Sequence, residues 1–357
     1  MPKIRENGVD TLKGFLILLV VFCHMPASPM FVFATSFSYW EPLWDKLSDM
    51  IPFILYFHMP LFLAASGFFV KKFSVFFLKK RTLLLLVPYA FWFFVEKVEP
   101  LIYHHISYNE FLDSMTTIFI GNHPLGKTIL WFFPALLIFN ILFSLYKKYF
   151  SPTLLLIICG LWLIVFFNIQ QVAKWHFLGF IPWGFDVVFY MFPYCLLVDY
   201  FYRQRHLIGK NYLMSWLLII LSGIVITLVE PLKIISPFHF RIDLAQLSVP
   251  YTMIGYFAMC SLSIGILLIF LRIQKENLLA FVGKYTLPIY VLHLFILTRF
   301  HNVLYRLSVA NDIFQSGLFI FVYSVFSFLG TIILSIFISK LLVNISTKFK
   351  YIGMVNH

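Results

Sequence analysis

The chain has 357 residues, of which 61% are hydrophobic and only 12% are charged. A soluble globular domain carries about 25% charged residues, so the composition excludes an ordinary water-soluble protein and favours one membrane-embedded bundle. The formal net charge of +12 does not indicate nucleic-acid binding, because the basic residues lie between apolar blocks and form no continuous stripe. The four cysteines lie inside apolar blocks without disulfide or zinc spacing, which is typical of small buried side chains.

Ten apolar blocks have about the length of a membrane-spanning helix, which needs roughly 20 residues. The first block is interrupted near its start by Lys13 and has no small-residue cleavage site, so we interpret it as an uncleaved span. The predicted spans are 11–27, 51–70, 82–98, 129–146, 152–170, 180–201, 212–229, 249–271, 281–298 and 317–343. The sequence therefore predicts an all-α, polytopic membrane protein with about ten transmembrane helices in a single membrane-embedded domain, 1–357.

The positions of lysine and arginine predict the orientation of these spans. With the N-terminus in the cytoplasm, 19 of the 27 basic residues fall in inside segments and 8 in outside segments. Because short cytoplasmic loops are enriched in lysine and arginine, we expect both termini to be cytoplasmic. The longest predicted outside loops are 28–50, 99–128 and 230–248.

Three histidines lie inside predicted spans, where ionisable groups are costly and often functional. His24 follows Lys13 by 11 residues, so a helix places both on one face, about 16 Å apart along its axis. Asp10, three residues before Lys13, is close enough to pair with it. His58 and His293 lie about 20 Å and about 14 Å above the basic inner edges of their spans. We therefore expect all three imidazoles in one layer near the bilayer centre.

The basic residue beneath His24 favours a function for this histidine, because imidazole is suited to taking a proton from a hydroxyl near neutral pH. A lone membrane histidine more often links helices by a hydrogen bond, and that interpretation is preferred for His58 or His293 taken alone. The sequence has no phosphate-binding loop, no serine-hydrolase motif and no metal-ligand spacing.

A second basic feature follows the second predicted span. It comprises Lys71, Lys72, Lys79, Lys80 and Arg81. One interpretation is a topology anchor that contacts anionic lipid head groups. The other is a binding site for a phosphate-bearing donor such as a CoA ester, and the sequence does not decide between them.

These features occur in motifs that resemble the acyltransferase-3 family of membrane acyltransferases. The run Lys13-x10-His24 is similar to the family's basic residue and histidine at the same spacing, and 57–69 resembles its F-H-M-P-L-F-F-x-x-S-G-F signature. Later similar elements are Lys79-Lys80-Arg81, Val87-Pro88-Tyr89, Leu130-Trp131-Phe132-Phe133, Gly283-Lys284-Tyr285-Thr286 and Ile289-Tyr290-Val291-Leu292-His293. Many members have a second arginine where this chain has Leu84. The resemblance covers nearly the whole chain and is closest to the fucose 4-O-acetylase-like branch.

The resemblance implies a bacterial inner-membrane O-acetyltransferase that moves an acetyl group from cytoplasmic acetyl-CoA to a hydroxyl of a cell-surface polysaccharide or its lipid-linked precursor. His24 would take the hydroxyl proton, and His58 or His293 would orient it or stabilise the developing oxyanion. Donor binding is assigned to Lys13, which Asp10 would hold, and to the basic residues Lys71, Lys72, Lys79, Lys80 and Arg81. The expected partners are acetyl-CoA, a sugar acceptor and membrane lipids, without a metal or nucleic acid.

A different class of protein is the alternative. It is a transporter or flippase for a sugar or lipid-linked glycan with no acyl-transfer activity, in which the histidines would form a proton relay. The sequence shows no inverted repeat or paired broken helices of the secondary-transporter kind. A non-enzymatic membrane sensor is a third interpretation, but it would not need a histidine aligned over a basic residue.

Overall fold

The computed structural model describes residues 7–25, 54, 57–103, 106–120, 129–151, 153–154, 157, 160–161, 185–208, 212–229, 249–310 and 317–345. Within these ranges the regular structure is helical throughout. In chain order the helices are α1 (Asn7–Cys23), α2 (57–67), α3 (Val75–Ile102), α4 (Tyr108–Ile120), α5 (Phe132–Tyr149, after a 3₁₀ turn at Ile129–Trp131), α6 (Phe185–Arg203), α7 (Arg205–Ile208), α8 (Tyr212–Val229), α9 (Val249–Phe270), α10 (Leu278–Gly283), α11 (Thr286–Ala310) and α12 (Gly317–Ile345).

The chain divides into two compact units, which are described separately. The first unit comprises Met1–His58 and Ile273–His357, and therefore contains α1, α10, α11 and α12. The second unit comprises Met59–Arg272 and contains α3 to α9. The boundary falls within α2, after His58.

Helices occupy most of the described residues of the predicted spans. Eight of the helices given above have at least 17 residues, the lower limit of length for crossing the hydrocarbon layer. In the described part of the chain, two are both long and apolar enough to cross a membrane: Thr286–Leu307, with mean hydropathy 1.3, and Phe321–Asn344, with mean hydropathy 2.2. The total of about ten spans and the cytoplasmic termini stay predictions.

Several predicted spans have different ends in the structure; the span predicted at 82–98, for example, lies within the longer helix Val75–Ile102. The span predicted at 11–27 is a helix that ends at Cys23, because the amides of His24 and Met25 bond to carbonyls three residues back, in the tighter turn that closes many helices. The span predicted at 281–298 is interrupted: α10 ends at Gly283 and α11 continues to Ala310. The amides of Lys284 and Tyr285 also bond to carbonyls three residues back.

The predicted outside loop 99–128 contains the helix α4, which the sequence interpretation missed. Its start is a capping box, in which the Glu110 carboxylate accepts hydrogen bonds from the Ser107 amide at 2.7 Å and hydroxyl at 2.8 Å. These bonds hold the pKa of Glu110 below its ordinary value. A serine followed three residues later by glutamate is a recognised start signal for a helix, so the sequence carried the information.

In the first unit, α1 crosses α10 at two glycines. A Cβ atom on Gly14 would overlap the carbonyl oxygen of Leu279, and a Cβ atom on Gly283 would overlap that of Asp10. Only residues without side chains permit this backbone approach. Both glycines belong to the motifs that carry the family resemblance, so the close crossing gives a physical reason for those positions.

Hydrogen bonds from polar side chains stabilise the same crossing of α1 and α10. Asn277 caps α10 by accepting a hydrogen bond from the Ala280 amide at 2.8 Å, and its amide group donates to the Thr11 hydroxyl at 3.2 Å. Asn7, at the start of α1, donates to the Gln274 carbonyl at 2.7 Å. The N-terminal half of α1 is therefore fixed to the segment that leads into α11.

In the second unit, α5 packs against α3 and α6, while α8 packs against α9. Gly67, at the end of α2, faces the rings of Phe139 and Phe143 on α5, where an added Cβ would lie 3.1 Å from each. The aromatic core of this unit therefore holds the end of α2 against α5.

Candidate active site

Two of the predicted histidines are in contact within the first unit. The rings of His24 and His293 lie edge to face, with 5.0 Å between their centroids. His24 follows the last residue of α1 and is half-buried, whereas His293 lies two turns into α11 and is fully buried. The contact follows from the packing of α1 on α10 and α11. The half-buried residue His24 thus contacts a fully buried imidazole.

The three predicted histidines share one hydrogen-bonding arrangement. In each, the ring Nδ1 lies within hydrogen-bond distance of a backbone carbonyl three or four residues earlier. The contacts are His24 to Val20 at 2.8 Å, His58 to Ile54 at 2.8 Å and His293 to Tyr290 at 2.6 Å. A carbonyl oxygen only accepts, so Nδ1 must carry the hydrogen. In the neutral ring this leaves a lone pair on Nε2, which is the nitrogen that can take a proton.

The Nε2 atom of His293 is buried and has no hydrogen-bond partner within the described ranges. A buried polar atom without a partner is costly and calls for an explanation in a native structure. Because the neutral ring can only accept at this nitrogen, His293 stabilises a developing oxyanion only after it has gained a proton. Its geometry therefore favours the predicted orienting role over the predicted oxyanion role.

The third predicted histidine, His58, is 3% exposed and belongs to the same unit. His24 interacts electrostatically with both His58 and His293. The first unit therefore brings the three predicted imidazoles into one electrostatically coupled group, although the ring contact involves only His24 and His293. Their catalytic roles stay predictions.

Asp10 and Lys13 lie on α1, toward its start. Asp10 is 4% exposed and is in the first turn of the helix, where the helix dipole favours a carboxylate. Lys13 is half-buried on the following turn. Their mutual pairing and the donor-binding role of Lys13 stay predictions.

The predicted basic cluster lies in the second unit, around the start of α3. Ser74 caps this helix by accepting a hydrogen bond from the Phe77 amide at 3.2 Å. Four lysines of the cluster are exposed: Lys71, Lys72, Lys79 and Lys80. Arg81 is less exposed and lies 5.4 Å from the centre of the Phe77 ring. Exposed lysines are compatible with both predicted interpretations, lipid anchoring and phosphate binding.

Sequence reasoning missed two charged residues of the second unit that interact electrostatically, Lys147 and Asp199. Lys147, at the end of α5, donates to backbone carbonyls at the end of α2. Asp199, on α6, is 1% exposed and interacts electrostatically with Lys147. Asp199 lies inside the predicted span 180–201, so the rule that marked the histidines as costly membrane groups also applied to it.

The described residues contain no group of three or more histidine, cysteine, aspartate or glutamate side chains arranged to hold a metal ion. The chemistry that this geometry offers is proton transfer or nucleophilic attack through an imidazole lone pair.

The acyltransferase-3 family model, described as an acyltransferase domain, matches residues 6–339. The chain belongs to the acyltransferase-3 family. No curated protein and no solved structure matches the chain. All of the predicted site residues fall inside the range that matches the acyltransferase-3 family, and both units contribute to that range. Membership of this family supports membrane acyltransferase activity.

Proposed function

We propose that the chain is a membrane O-acetyltransferase of the fucose 4-O-acetylase-like branch. It moves an acetyl group from cytoplasmic acetyl-CoA to a hydroxyl of a cell-surface polysaccharide or its lipid-linked precursor. The observation that carries the proposal is the half-buried His24, whose Nδ1 donates to Val20 and whose Nε2 lone pair is therefore available. The donor, the acceptor class and the branch rest on the sequence motifs.

In the proposed reaction, Nε2 of His24 takes the proton of the acceptor hydroxyl while the hydroxyl oxygen attacks the thioester carbonyl carbon. The carbon–sulfur bond then breaks, and the proton on His24 passes to the sulfur of CoA. The products are an acetyl ester and free CoA. In a second route, Nε2 attacks the thioester carbonyl carbon first, the carbon–sulfur bond breaks, and CoA leaves as the thiolate. The hydroxyl oxygen then attacks the acetyl carbon, the bond from this carbon to Nε2 breaks, and the hydroxyl proton passes to the thiolate. Both routes use the same lone pair.

His293 is proposed as the positioning partner of His24. Its own Nε2 has a lone pair and no hydrogen-bond partner among the described residues. It can accept a hydrogen bond from the ring of His24 once that ring is protonated, or from the acceptor hydroxyl, and so align the reacting groups. His58 is proposed to tune the same group through its electrostatic interaction with His24.

Donor binding is proposed for the basic residues. Lys13 would contact the phosphates of acetyl-CoA, with Asp10 holding it, and the exposed lysines after α2 would contribute further phosphate contacts. Replacing Lys13 by alanine is expected to weaken the use of acetyl-CoA and to leave the maximal rate less affected. An unchanged dependence of the rate on acetyl-CoA concentration would remove Lys13 from this role.

The proposed location is the bacterial inner membrane, with multiple spans and both termini in the cytoplasm. This orientation follows from the excess of lysine and arginine in the predicted inside segments. It gives the cytoplasmic donor access from the side on which Lys13 and the basic cluster are predicted to lie.

The proposed function is tested on the surface polysaccharide of the producing cells. Polysaccharide from wild-type, deletion and complemented strains is compared by NMR, and the deletion is expected to lose one O-acetyl signal that complementation restores. A complementing chain with His24→Ala is expected to leave the signal absent. Loss of surface polysaccharide itself, with its O-acetyl content unchanged, would instead identify a flippase or transporter.

A further inference from the structure

A lysine from α5 binds the backbone at the end of α2. The ammonium group of Lys147 donates hydrogen bonds to the carbonyl oxygens of Gly67 at 2.8 Å and Val70 at 2.9 Å, with a longer contact to Phe68 at 3.5 Å. The last carbonyls of a helix have no partner within the helix and carry its negative dipole end. Lys147 therefore closes α2 and fixes the first residues of the turn 68–74.

The charge of Lys147 is balanced within the same unit. Asp199 on α6 is 1% exposed, interacts electrostatically with Lys147, and accepts a hydrogen bond from Nε of Arg203 at 2.7 Å. A buried carboxylate needs partners of opposite charge to be stable. Asp199 thus supplies an opposite charge in the surroundings of Lys147, on a helix that packs against α5.

Two further contacts fix the turn 68–74 to the same helices. The ring of Phe68 stacks on that of Tyr202 with 3.9 Å between centroids and 7° between planes. The amide of Phe73 donates to the Ser144 carbonyl at 3.1 Å. The turn is therefore held at both ends, by a charged side chain at one end and a backbone hydrogen bond at the other.

This turn carries the first part of the basic cluster. Lys71 and Lys72 lie within it and are exposed, and Lys79 and Lys80 follow on the first turns of α3, also exposed. A fixed backbone presents exposed lysines from defined positions, so less entropy is lost when they bind an anion. A basic segment that only anchors topology has no need of such fixing.

We propose that Lys147, with Asp199 as its counter-charge, is a positioning residue for donor binding: it holds the turn 68–74 so that the lysines of the basic cluster meet the phosphates of acetyl-CoA. This inference rests on the proposed function, since it requires an acyl-CoA donor. The ammonium group of Lys147 donates its hydrogen bonds to backbone carbonyls, so its proposed effect on phosphate binding is indirect, through the position of the turn 68–74.

The neighbouring residue Lys148 provides a matched control. It carries the same charge on the same helix but is exposed, and its contacts are with the rings of Phe73 at 5.4 Å and Tyr149 at 5.0 Å. Replacing either lysine by methionine removes one charge and keeps a similar length. A difference between the two variants therefore reports the contacts of Lys147 with the end of α2.

The experiment uses the full chain, purified and reconstituted in vesicles, with acetyl-CoA as donor. Lys147→Met is expected to raise the donor KM at least fivefold, while kcat and the acceptor KM change less than twofold. The unfolding midpoint is expected to fall by several degrees, because Asp199 loses one of its partners, so the donor KM measured on folded protein carries the test. Lys147→Arg, which keeps charged donors, is expected to restore the donor KM to within twofold. Lys148→Met is expected to match the wild type.

The outcomes separate this inference from the proposed function. An active wild type with an unchanged donor KM in Lys147→Met would overturn the positioning role. An equal loss of kcat with no change in the donor KM would also overturn it, because the lysine would then support the fold or the chemistry. The third outcome is a wild type that transfers no acyl group from acetyl-CoA, together with a Lys147→Met variant that binds CoA less tightly than the wild type. This result would overturn the proposed function and leave the positioning role standing.

Discussion

One group of polar side chains in each unit makes an instructive comparison. In the second unit, the charges of Lys147, Asp199 and Arg203 are satisfied by one another and by backbone carbonyls. In the first unit, His293 keeps a buried Nε2 atom without a hydrogen-bond partner in the described part of the chain, beside the half-buried ring of His24.

We interpret this difference as one between polar groups that support the fold and polar groups proposed to react. A paired buried charge stabilises one arrangement of the backbone, whereas an unpaired buried nitrogen costs free energy that folding alone does not require. Active sites are places where such costs are retained. The contrast supports the proposal that the chemistry takes place at the histidines of the first unit and that the charged group of the second has a supporting role.

The largest expected effect on stability comes from disrupting the close crossing of α1 and α10, which supports the contact between His24 and His293. Gly283→Ala places a Cβ atom on the carbonyl oxygen of Asp10, and because backbone cannot move aside as a side chain can, we expect a loss of more than about 3 kcal/mol of stability. Thermal unfolding of the detergent-solubilised protein measures this. Gly160→Ala is the control, since its added Cβ meets no atom of the described residues within 4 Å. A wild-type unfolding midpoint in Gly283→Ala would contradict the close crossing.

The second prediction sharpens the contrast between the two buried histidines. His293→Gln is expected to lower the acetyl-transfer rate about 100-fold, because it changes the partner of His24, while His58→Gln is expected to lower it no more than about tenfold. Initial rates with saturating acetyl-CoA measure both. A larger loss in His58→Gln than in His293→Gln would reverse the assignment of the positioning partner.

The third prediction tests whether the charges of the second unit are structural. Asp199→Asn is expected to destabilise the protein by about 2 kcal/mol, less than a fully buried pair would lose, because the Arg203 side chain is 42% exposed. Asp113→Asn, at an exposed position on α4, is expected to change stability by less than about 0.5 kcal/mol. A full loss of the maximal rate with normal stability would make Asp199 a reactive group and break the comparison.

The smallest expected effects concern the exposed lysines. Lys79→Ala and Lys80→Ala are each expected to raise the donor KM about two- to threefold, since an exposed ion pair contributes less than about 1 kcal/mol. Stability should not change. Lys275→Ala, at an exposed position outside the basic cluster, is the matched control. If all three variants share one donor KM, the cluster is a topology anchor and does not bind phosphate.

Long apolar runs were predictable because their composition alone defines them. The helices α8, α9 and α12 begin and end within two residues of the predicted spans. The interruption at Lys284 and Tyr285 was missed, because two residues inside an apolar run carry no breaking signal as strong as proline. The helix α4 was missed although the capping box of Ser107 and Glu110 was visible.

The candidate site was predictable only along the helix axes. The rise per residue relates the height of His24 to that of Lys13, but it does not reveal which helices are neighbours, so the ring contact with His293 needed the structure. Lys147 was hidden for another reason. Its partners are backbone carbonyls of a distant segment, and carbonyls have no signature in a sequence.

We propose that the lone pair of His24 performs the proton transfer or the nucleophilic attack. This proposal is tested most directly by single-turnover acetyl transfer and acetyl-CoA binding, measured on the same reconstituted His24→Ala protein. We expect the rate of this variant to fall at least about 10³-fold, while its donor Kd changes less than twofold. A rate within tenfold of the wild type, or a loss of donor affinity that matches the loss of rate, would contradict it.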